Sequence, residues 1–335
     1  MAKIAFFSTQ NYDRRFFEDN TGGHTFEFFE TRLKPNTVKL ANGFDGVCVF
    51  VNDGVNEQVL KALSEINVGL VALRCAGFNN VDLKAAEKYN IRVMRVPAYS
   101  PEAVAEHAVA LIMSLARRIH KAYNRVREGN FSLEKLSGFT IHGKTIGVIG
   151  TGKIGQAFIR IAKGFGAEVV AYDKYPNENL KKSGVEYLDF DTVLERSDIL
   201  SLHCPLTPET HHLINRESLA KMKEGAMLVN TSRGKLVDTA SVIESLKNGH
   251  LGSLAIDVYE QEEKLFFRDL SDLIIRDDQI AQLMIFPNVL ITAHQGFFTT
   301  ESLREITSTT IKNFDDYDAG ADSDNEVSCS LIKDC

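Results

Sequence analysis

A chain of 335 residues exceeds what one ordinary hydrophobic core organises and suits two domains. Hydrophobic residues make up 44% and charged residues 25%, a globular composition, and the net charge of −7 argues against a nucleic-acid or anionic-membrane partner, which would favour a basic face. The N-terminal apolar run is too short for a signal peptide, and no apolar stretch is long enough to span a bilayer. Cys48, Cys75, Cys204, Cys329 and Cys335 are odd in number and scattered, so neither a disulfide framework nor a structural zinc site is expected, and a reducing cytoplasm is the natural setting.

Short apolar runs alternate with amphipathic, helix-length segments, the rhythm of βαβ units and parallel sheets. The first strands are expected at Lys3–Ser8, Gly46–Val51, Gly69–Arg74 and Ile91–Val96, with helices such as Glu57–Glu65 and Asp82–Lys88 between them. Ser100-Pro101-Glu102 is a strong helix start, with serine as N-cap, proline at the first helical position and an acid in the first turn. Apolar residues from Val104 to Val126 recur at three or four positions, which predicts one long helix reaching Gly129. A domain boundary is expected just before it. A second series of strands follows at Thr145–Ile149, Glu168–Tyr172, Ile199–His203, Met227–Asn230, Ser253–Asp257 and Val289–Thr292. Thr300–Asp318 reads as a last helix, and Gly320–Cys335 as a loosely held acidic tail.

The segment Gly150-Thr151-Gly152-Lys153-Ile154-Gly155 carries a G-x-G-x-x-G spacing. Alone the spacing is weak, because glycines are common in loops. Here a strand precedes it, a helix candidate (Gln156–Phe165) follows it, and Asp173 lies 18 residues beyond Gly155 at the end of the next strand. Gly150 permits the tight turn, Gly152 admits a pyrophosphate to the backbone, and Gly155 lets helix and strand pack closely. The helix N-terminus offers unpaired N–H groups to phosphates. Asp173 can accept from a ribose diol and would repel a 2′-phosphate, so NAD is expected rather than NADP. The plainer alternative is an ordinary βα turn, and the three contexts together favour a Rossmann-type dinucleotide site.

Ligands of open parallel sheets bind beyond the carboxyl ends of the strands. At those ends stand His203-Cys204-Pro205, Asn230-Thr231-Ser232-Arg233-Gly234, Asp257-Val258-Tyr259-Glu260-Gln261-Glu262 and Ala293-His294-Gln295-Gly296. Each is bland separately; their shared edge is the signal. Arg233 can fork onto a 2-keto acid. His294 can give a proton to the carbonyl oxygen as hydride reaches the carbon, and take it back in oxidation. Glu262 can hold the imidazole and favour its protonated form. Neither His211-His212 nor His203-Cys204 has a third group at ligand spacing, so no metal is expected.

With Leu73-Arg74-Cys75-Ala76-Gly77-Phe78, Val96-Pro97-Ala98-Tyr99-Ser100-Pro101-Glu102-Ala103-Val104-Ala105-Glu106-His107, the glycine turn, Asn230-Thr231-Ser232-Arg233-Gly234 and Asp257-Val258-Tyr259-Glu260, the chain resembles, from end to end, the D-isomer-specific 2-hydroxyacid dehydrogenases, and among them the fermentative D-lactate branch. The resemblance implies a catalytic set of Arg233, Glu262 and His294. It implies substrate contacts at Ala76, Gly77 and Tyr99 besides Arg233. It implies NAD contacts at Lys153, Ile154, Asp173, Cys204, Pro205, Thr210, Thr231, Ser232 and Asp257, besides the three glycines. It implies an α/β architecture of two domains with a cleft between them. Residues 99–298 would form the Rossmann-type doubly wound NAD domain. Residues 1–98 with 299–335 would form a discontinuous, flavodoxin-like substrate domain. The helix after Ser100 would lie at the interface of a homodimer or homotetramer. Most of the family has proline after the catalytic glutamate, whereas Glu263 follows Glu262 here and 32 positions separate Glu262 from His294; the D-lactate branch shares both traits. The acid stays open among Glu260, Glu262 and Glu263, with Glu262 chosen from the family spacing. The implied reaction is reversible hydride transfer from NADH to pyruvate. The alternatives are a relative acting on another 2-keto acid and a non-enzymatic NADH-sensing regulator on the same fold.

Overall fold

The computed structural model describes residues 1–331. The chain divides into two compact units, Met1–Ser100 with Phe298–Cys335, and Pro101–Phe297. The first holds five parallel strands, β1 (Lys3–Phe6), β2 (Thr25–Phe28), β3 (Gly46–Val49), β4 (Leu70–Leu73) and β5 (Arg92–Arg95), in the order β2-β1-β3-β4-β5. β3 and β4 are buried on both faces, as strands covered by helices on either side must be. The helix Thr300–Asp318 spans the expected residues and buries Leu303, Ile306, Thr310, Ile311 and Phe314. Gly46 and Gly69 leave room for it, since a Cβ there would meet Phe314 and Tyr317. β2 was not expected: its four residues alternate exposed and half-buried, too short and too wet to stand out.

The tail differs from its expectation. Val327 is 3% exposed, its N–H donates to the Val93 carbonyl, and Arg92 pairs with Glu326 at 2.6 Å. Residues through Val327 are therefore fastened along β5, Cys329 N donates to Glu87 Oε1 at 2.8 Å, and residues 332–335 of the predicted tail lie outside the described residues. Cys48, Cys75 and Cys204 are buried and form no disulfide.

The second unit holds β6 (Thr145–Ile149), β7 (Glu168–Tyr172), β8 (Glu186–Tyr187), β9 (Ile199–Leu202), β10 (Ala226–Asn230), β11 (Leu251–Ile256) and β12 (Val289–Ile291). They form one parallel sheet ordered β12-β11-β10-β9-β6-β7-β8. Alternate residues feed opposite cores. Leu200, Leu202 and Leu228 join one, and Ile199, Met227 and Val229 join the other. The chain runs outward from β6 through β7 to β8, then restarts at β9 on the other flank. That reversal makes a topological switch point between β6 and β9, where doubly wound sheets open a crevice. β8, with two residues, was also missed.

The long helix is broken. It runs Pro101–Ala116 and resumes at Ile119–Arg127. Arg118 sits between at φ 51°, in the left-handed region. The returning chain supplies the reason. Phe139 N–H takes the Ala116 carbonyl at 3.0 Å, and Arg118 Nε donates to the Ser137 carbonyl. Helical periodicity cannot show a competing partner that arrives from twenty residues downstream.

Candidate active site

The glycine turn follows β6 at the switch point. Gly150 has φ 95°, and a Cβ there would lie 2.6 Å from Cys204 N. Gly155 presses on the Gly150 carbonyl, where a Cβ would overlap the oxygen, while a Cβ on Gly152 would meet nothing within 4 Å. The three glycines thus divide turn, contact and open approach as a dinucleotide site needs. The helix begins at Lys153, three residues before its expected start, with Gly152 as N-cap and no side chain capping it. Its first N–H groups, including those of Lys153 and Ile154, are left for an anion.

Asp173 follows β7 and is already engaged. Its Oδ2 accepts from Thr151 N at 2.6 Å and Thr151 Oγ1 at 2.9 Å, and its Oδ1 accepts from Tyr175 N at 2.8 Å. Across the switch point, Cys204 is buried with its thiol pushed up to about 11 by desolvation, so it is not a nucleophile. Its carbonyl accepts from Ser232 Oγ at 2.7 Å, and the Pro205 carbonyl accepts from Thr210 Oγ1 at 2.7 Å. Thr231 Oγ1 is buried with no hydrogen-bond partner. A buried hydroxyl without a partner is costly, and a polar ligand group would satisfy it. These features fit NAD.

At the other flank His294 follows β12 at φ 54°, a left-handed conformation. Its Nδ1 lies 2.9 Å from Glu262 Oε1, and Glu262 Oε2 accepts from Tyr259 N at 3.0 Å. A carboxylate only accepts, so Nδ1 carries the proton toward Glu262 and Nε2 is the ring nitrogen left to exchange one. Of the three acids kept open, Glu262 meets the imidazole. Glu260 turns instead to His212 Nε2 at 2.7 Å and Thr239 N at 2.9 Å, and Glu263 is exposed.

Asp257 is the frame of the His294 turn. Its carbonyl accepts from His294 N at 2.7 Å, and its carboxylate accepts from Gln295 N at 2.9 Å and Gly296 N at 2.8 Å. Burial pushes Asp257 up, but hydrogen bonds from His107 and Thr292 outweigh it and hold the carboxyl below its ordinary value. His107 Nε2 reaches Thr292 Oγ1 at 3.0 Å and Asp257 Oδ1 at 3.3 Å. No role for His107 was legible in advance, because one histidine on a helix carries no sign of what it will meet.

Arg233 follows β10 and is half-buried, with Nη1 donating to the Ser232 carbonyl at 2.7 Å and no acidic partner among the described residues. The adjoining Gly234 abuts the Tyr259–Glu260 backbone so closely that a Cβ would overlap it. The histidines weighed as metal ligands are otherwise occupied: the His211 and His212 rings stack at 4.0 Å, and His203 Nε2 meets Ser201 Oγ at 2.9 Å. In the first unit the turn after β4 carries Ala76 and Gly77. Their N–H groups donate to nothing among the described residues, while Arg95 Nη1 steadies the Ala76 carbonyl at 2.9 Å. Tyr99 is half-buried beyond β5.

A nucleotide turn at a switch point, sharing its sheet edge with a carboxylate-held imidazole, defines an NAD-dependent oxidoreductase. Residues 109–296 match the model of the D-isomer specific 2-hydroxyacid dehydrogenase, NAD binding domain. The chain is 51% identical to the D-lactate dehydrogenase of Escherichia coli (strain K12) over 327 residues, covering 97% of this chain and 99% of that one. It is also similar to a solved structure described as the pyruvate reductase of Chlamydomonas reinhardtii, with TM-score 0.92, 44% identity, and coverage of 97% and 98%. A third similarity is to the D-lactate dehydrogenase of Aquifex aeolicus complexed with NAD and lactic acid, with TM-score 0.84, 34% identity, and coverage of 95% and 96%. The chain belongs to the D-isomer-specific 2-hydroxyacid dehydrogenases, and its cofactor is NAD. Among the described residues no helix is long and apolar enough to cross a membrane.

Proposed function

We propose that the chain is an NAD-dependent D-lactate dehydrogenase that interconverts pyruvate and D-lactate. The observation that carries the chemistry is the 2.9 Å contact between His294 Nδ1 and Glu262 Oε1, which leaves Nε2 to pass a proton. The choice of substrate rests on the similarity to relatives named D-lactate dehydrogenase.

Bound NADH supplies the hydride, and the chain's residues do the rest. Gly150, Gly152, Gly155, Lys153 and Ile154 hold the pyrophosphate, and Asp173 the ribose. Cys204, Pro205, Thr210, Thr231, Ser232 and Asp257 line the remaining contacts. Arg233, whose guanidinium has no acidic partner among the described residues, binds the keto acid as a planar cation. By the family resemblance alone, Ala76 and Gly77, whose N–H groups donate to nothing among the described residues, would take its carboxylate, and Tyr99 would contact the substrate. His294 delivers the Nε2 proton to the carbonyl oxygen in reduction and recovers it in oxidation, while Glu262 fixes the ring. Exposed Ile119, Tyr123, Val126, Phe131 and Leu133 support assembly as a homodimer or homotetramer. The buried, unbridged thiols of Cys48, Cys75 and Cys204 suit a cytoplasmic setting.

A second substrate reading has one support, the similarity to a solved D-2-hydroxyisocaproate dehydrogenase, TM-score 0.85 at 30% identity. Steady-state NADH oxidation with pyruvate, glyoxylate, hydroxypyruvate and branched-chain 2-keto acids separates the readings. Pyruvate should give the highest kcat/KM. A branched-chain acid in first place would shift the assignment, and turnover on none would return the NADH-sensing regulator.

A further inference from the structure

The carboxylate of Asp173 is the end of a chain of hydrogen bonds whose direction is forced. Being an acceptor, it obliges the Thr151 hydroxyl to donate to Oδ2 at 2.9 Å. That hydroxyl must then accept from Tyr187 Oη at 2.9 Å, and Tyr187 Oη in turn accepts from Asn177 N at 3.1 Å. With Thr151 N also on Oδ2 and Tyr175 N on Oδ1, three of the four lone-pair sites of the carboxylate are filled. One remains, on Oδ1. Thr151 is 3% exposed, so water does not replace its hydroxyl in this chain.

We propose that Thr151 and Tyr187 are specificity-determining positioning residues that lock Asp173 as a fixed anion, accepting one ribose hydroxyl through Oδ1 and refusing a 2′-phosphate. The proposal rests on the reading of Asp173 as the ribose acceptor. A free aspartate side chain can rotate aside and admit a phosphate at small cost. This one must first break the bonds from Thr151 and Tyr175, leaving a buried hydroxyl and N–H groups unpaired. Repulsion between carboxylate and phosphate is then unavoidable rather than relaxed away. The surroundings would otherwise tolerate a phosphate: Lys174 adjoins Asp173 in sequence, and the Lys181 ammonium stands 5.8 Å over the Tyr187 ring. β8, a strand of only two residues, thereby has a task beyond closing the sheet edge, because it carries Tyr187.

The test is calorimetric titration of NADH and NADPH into the full chain, without substrate, for wild type, Tyr187→Phe, Thr151→Val, Thr151→Ser, Asp173→Ala and the Tyr187→Phe/Asp173→Ala pair. The ratio Kd(NADPH)/Kd(NADH) should fall about three- to tenfold in Tyr187→Phe and Thr151→Val, the scale of one lost hydrogen bond. Thr151→Ser should keep the wild-type ratio. Asp173→Ala should lower the ratio further, and adding Tyr187→Phe to it should change nothing, because Tyr187 acts through Asp173. An unchanged ratio in Asp173→Ala would remove the ribose reading and the proposal with it. A lowered ratio in Asp173→Ala with none in Tyr187→Phe would overturn the proposal alone, as would a further fall in the double variant.

Discussion

The two flanks of the sheet in the Pro101–Phe297 unit are built by opposite means. At the β6–β7 flank the site is backbone: a left-handed glycine, a glycine against a carbonyl, and an uncapped helix end. At the β11–β12 flank it is side chains held by side chains: His294 on Glu262, and the His294 turn on Asp257, Thr292 and His107. The first flank binds by shape and partial charge. The second is the flank proposed to move a proton. The contrast predicts that damage to the first should appear in cofactor affinity and folding, and damage to the second in turnover with folding intact.

The largest break should come at the imidazole. His294→Gln is expected to lower kcat by roughly a hundredfold or more, the scale of a lost general acid, with NADH affinity nearly unchanged. Stopped-flow reduction together with NADH titration checks both halves. Arg233→Gln should weaken keto-acid binding by about tenfold or more while NADH binding stays near normal; equal losses in the two titrations would make Arg233 structural. On the other flank Gly155→Ala forces a methyl onto the Gly150 carbonyl. It should cost about 1–3 kcal/mol of stability and weaken NADH, read by thermal melting with and without cofactor.

The smallest effect is one of pH. His203 packs on Phe158 at a ring distance of 4.7 Å, and burial pushes its pKa down from 6.5 to about 3. The unfolded chain takes a proton below pH 6.5 that the folded chain refuses, so stability falls as pH drops through the window from 6.5 to about 3. Between pH 7 and pH 5 the loss should be up to about 2 kcal/mol, and His203→Asn should flatten that part of the profile. Denaturant melts at the two pH values decide it.

The same contrast explains what the sequence disclosed. The glycine turn was legible because its reasons are local: steric freedom at Gly150 and Gly155 is written in the residue type. The strands of both sheets were legible from their apolar runs, to within one or two residues at most ends. β2 and β8 were not, since neither has a buried run to announce it. The break at Arg118 was hidden because its cause is the returning chain at Ser137 and Phe139. At the imidazole flank, residue types suggested the chemistry and family spacing singled out Glu262. Only the fold shows that Glu260 turns to His212 and Thr239. His107, Thr151 and Tyr187 act through partners distant in sequence, and a pattern of residue types does not encode a partner.

In the proposed reaction the His294–Glu262 pair and the NAD turn serve one reduction, and its stereochemical outcome is fixed. It is tested most directly by the handedness of the lactate formed from pyruvate and NADH, resolved by chiral chromatography. D-lactate is the expected product, formed by the wild type and nearly abolished in His294→Gln. L-lactate as the product would contradict it.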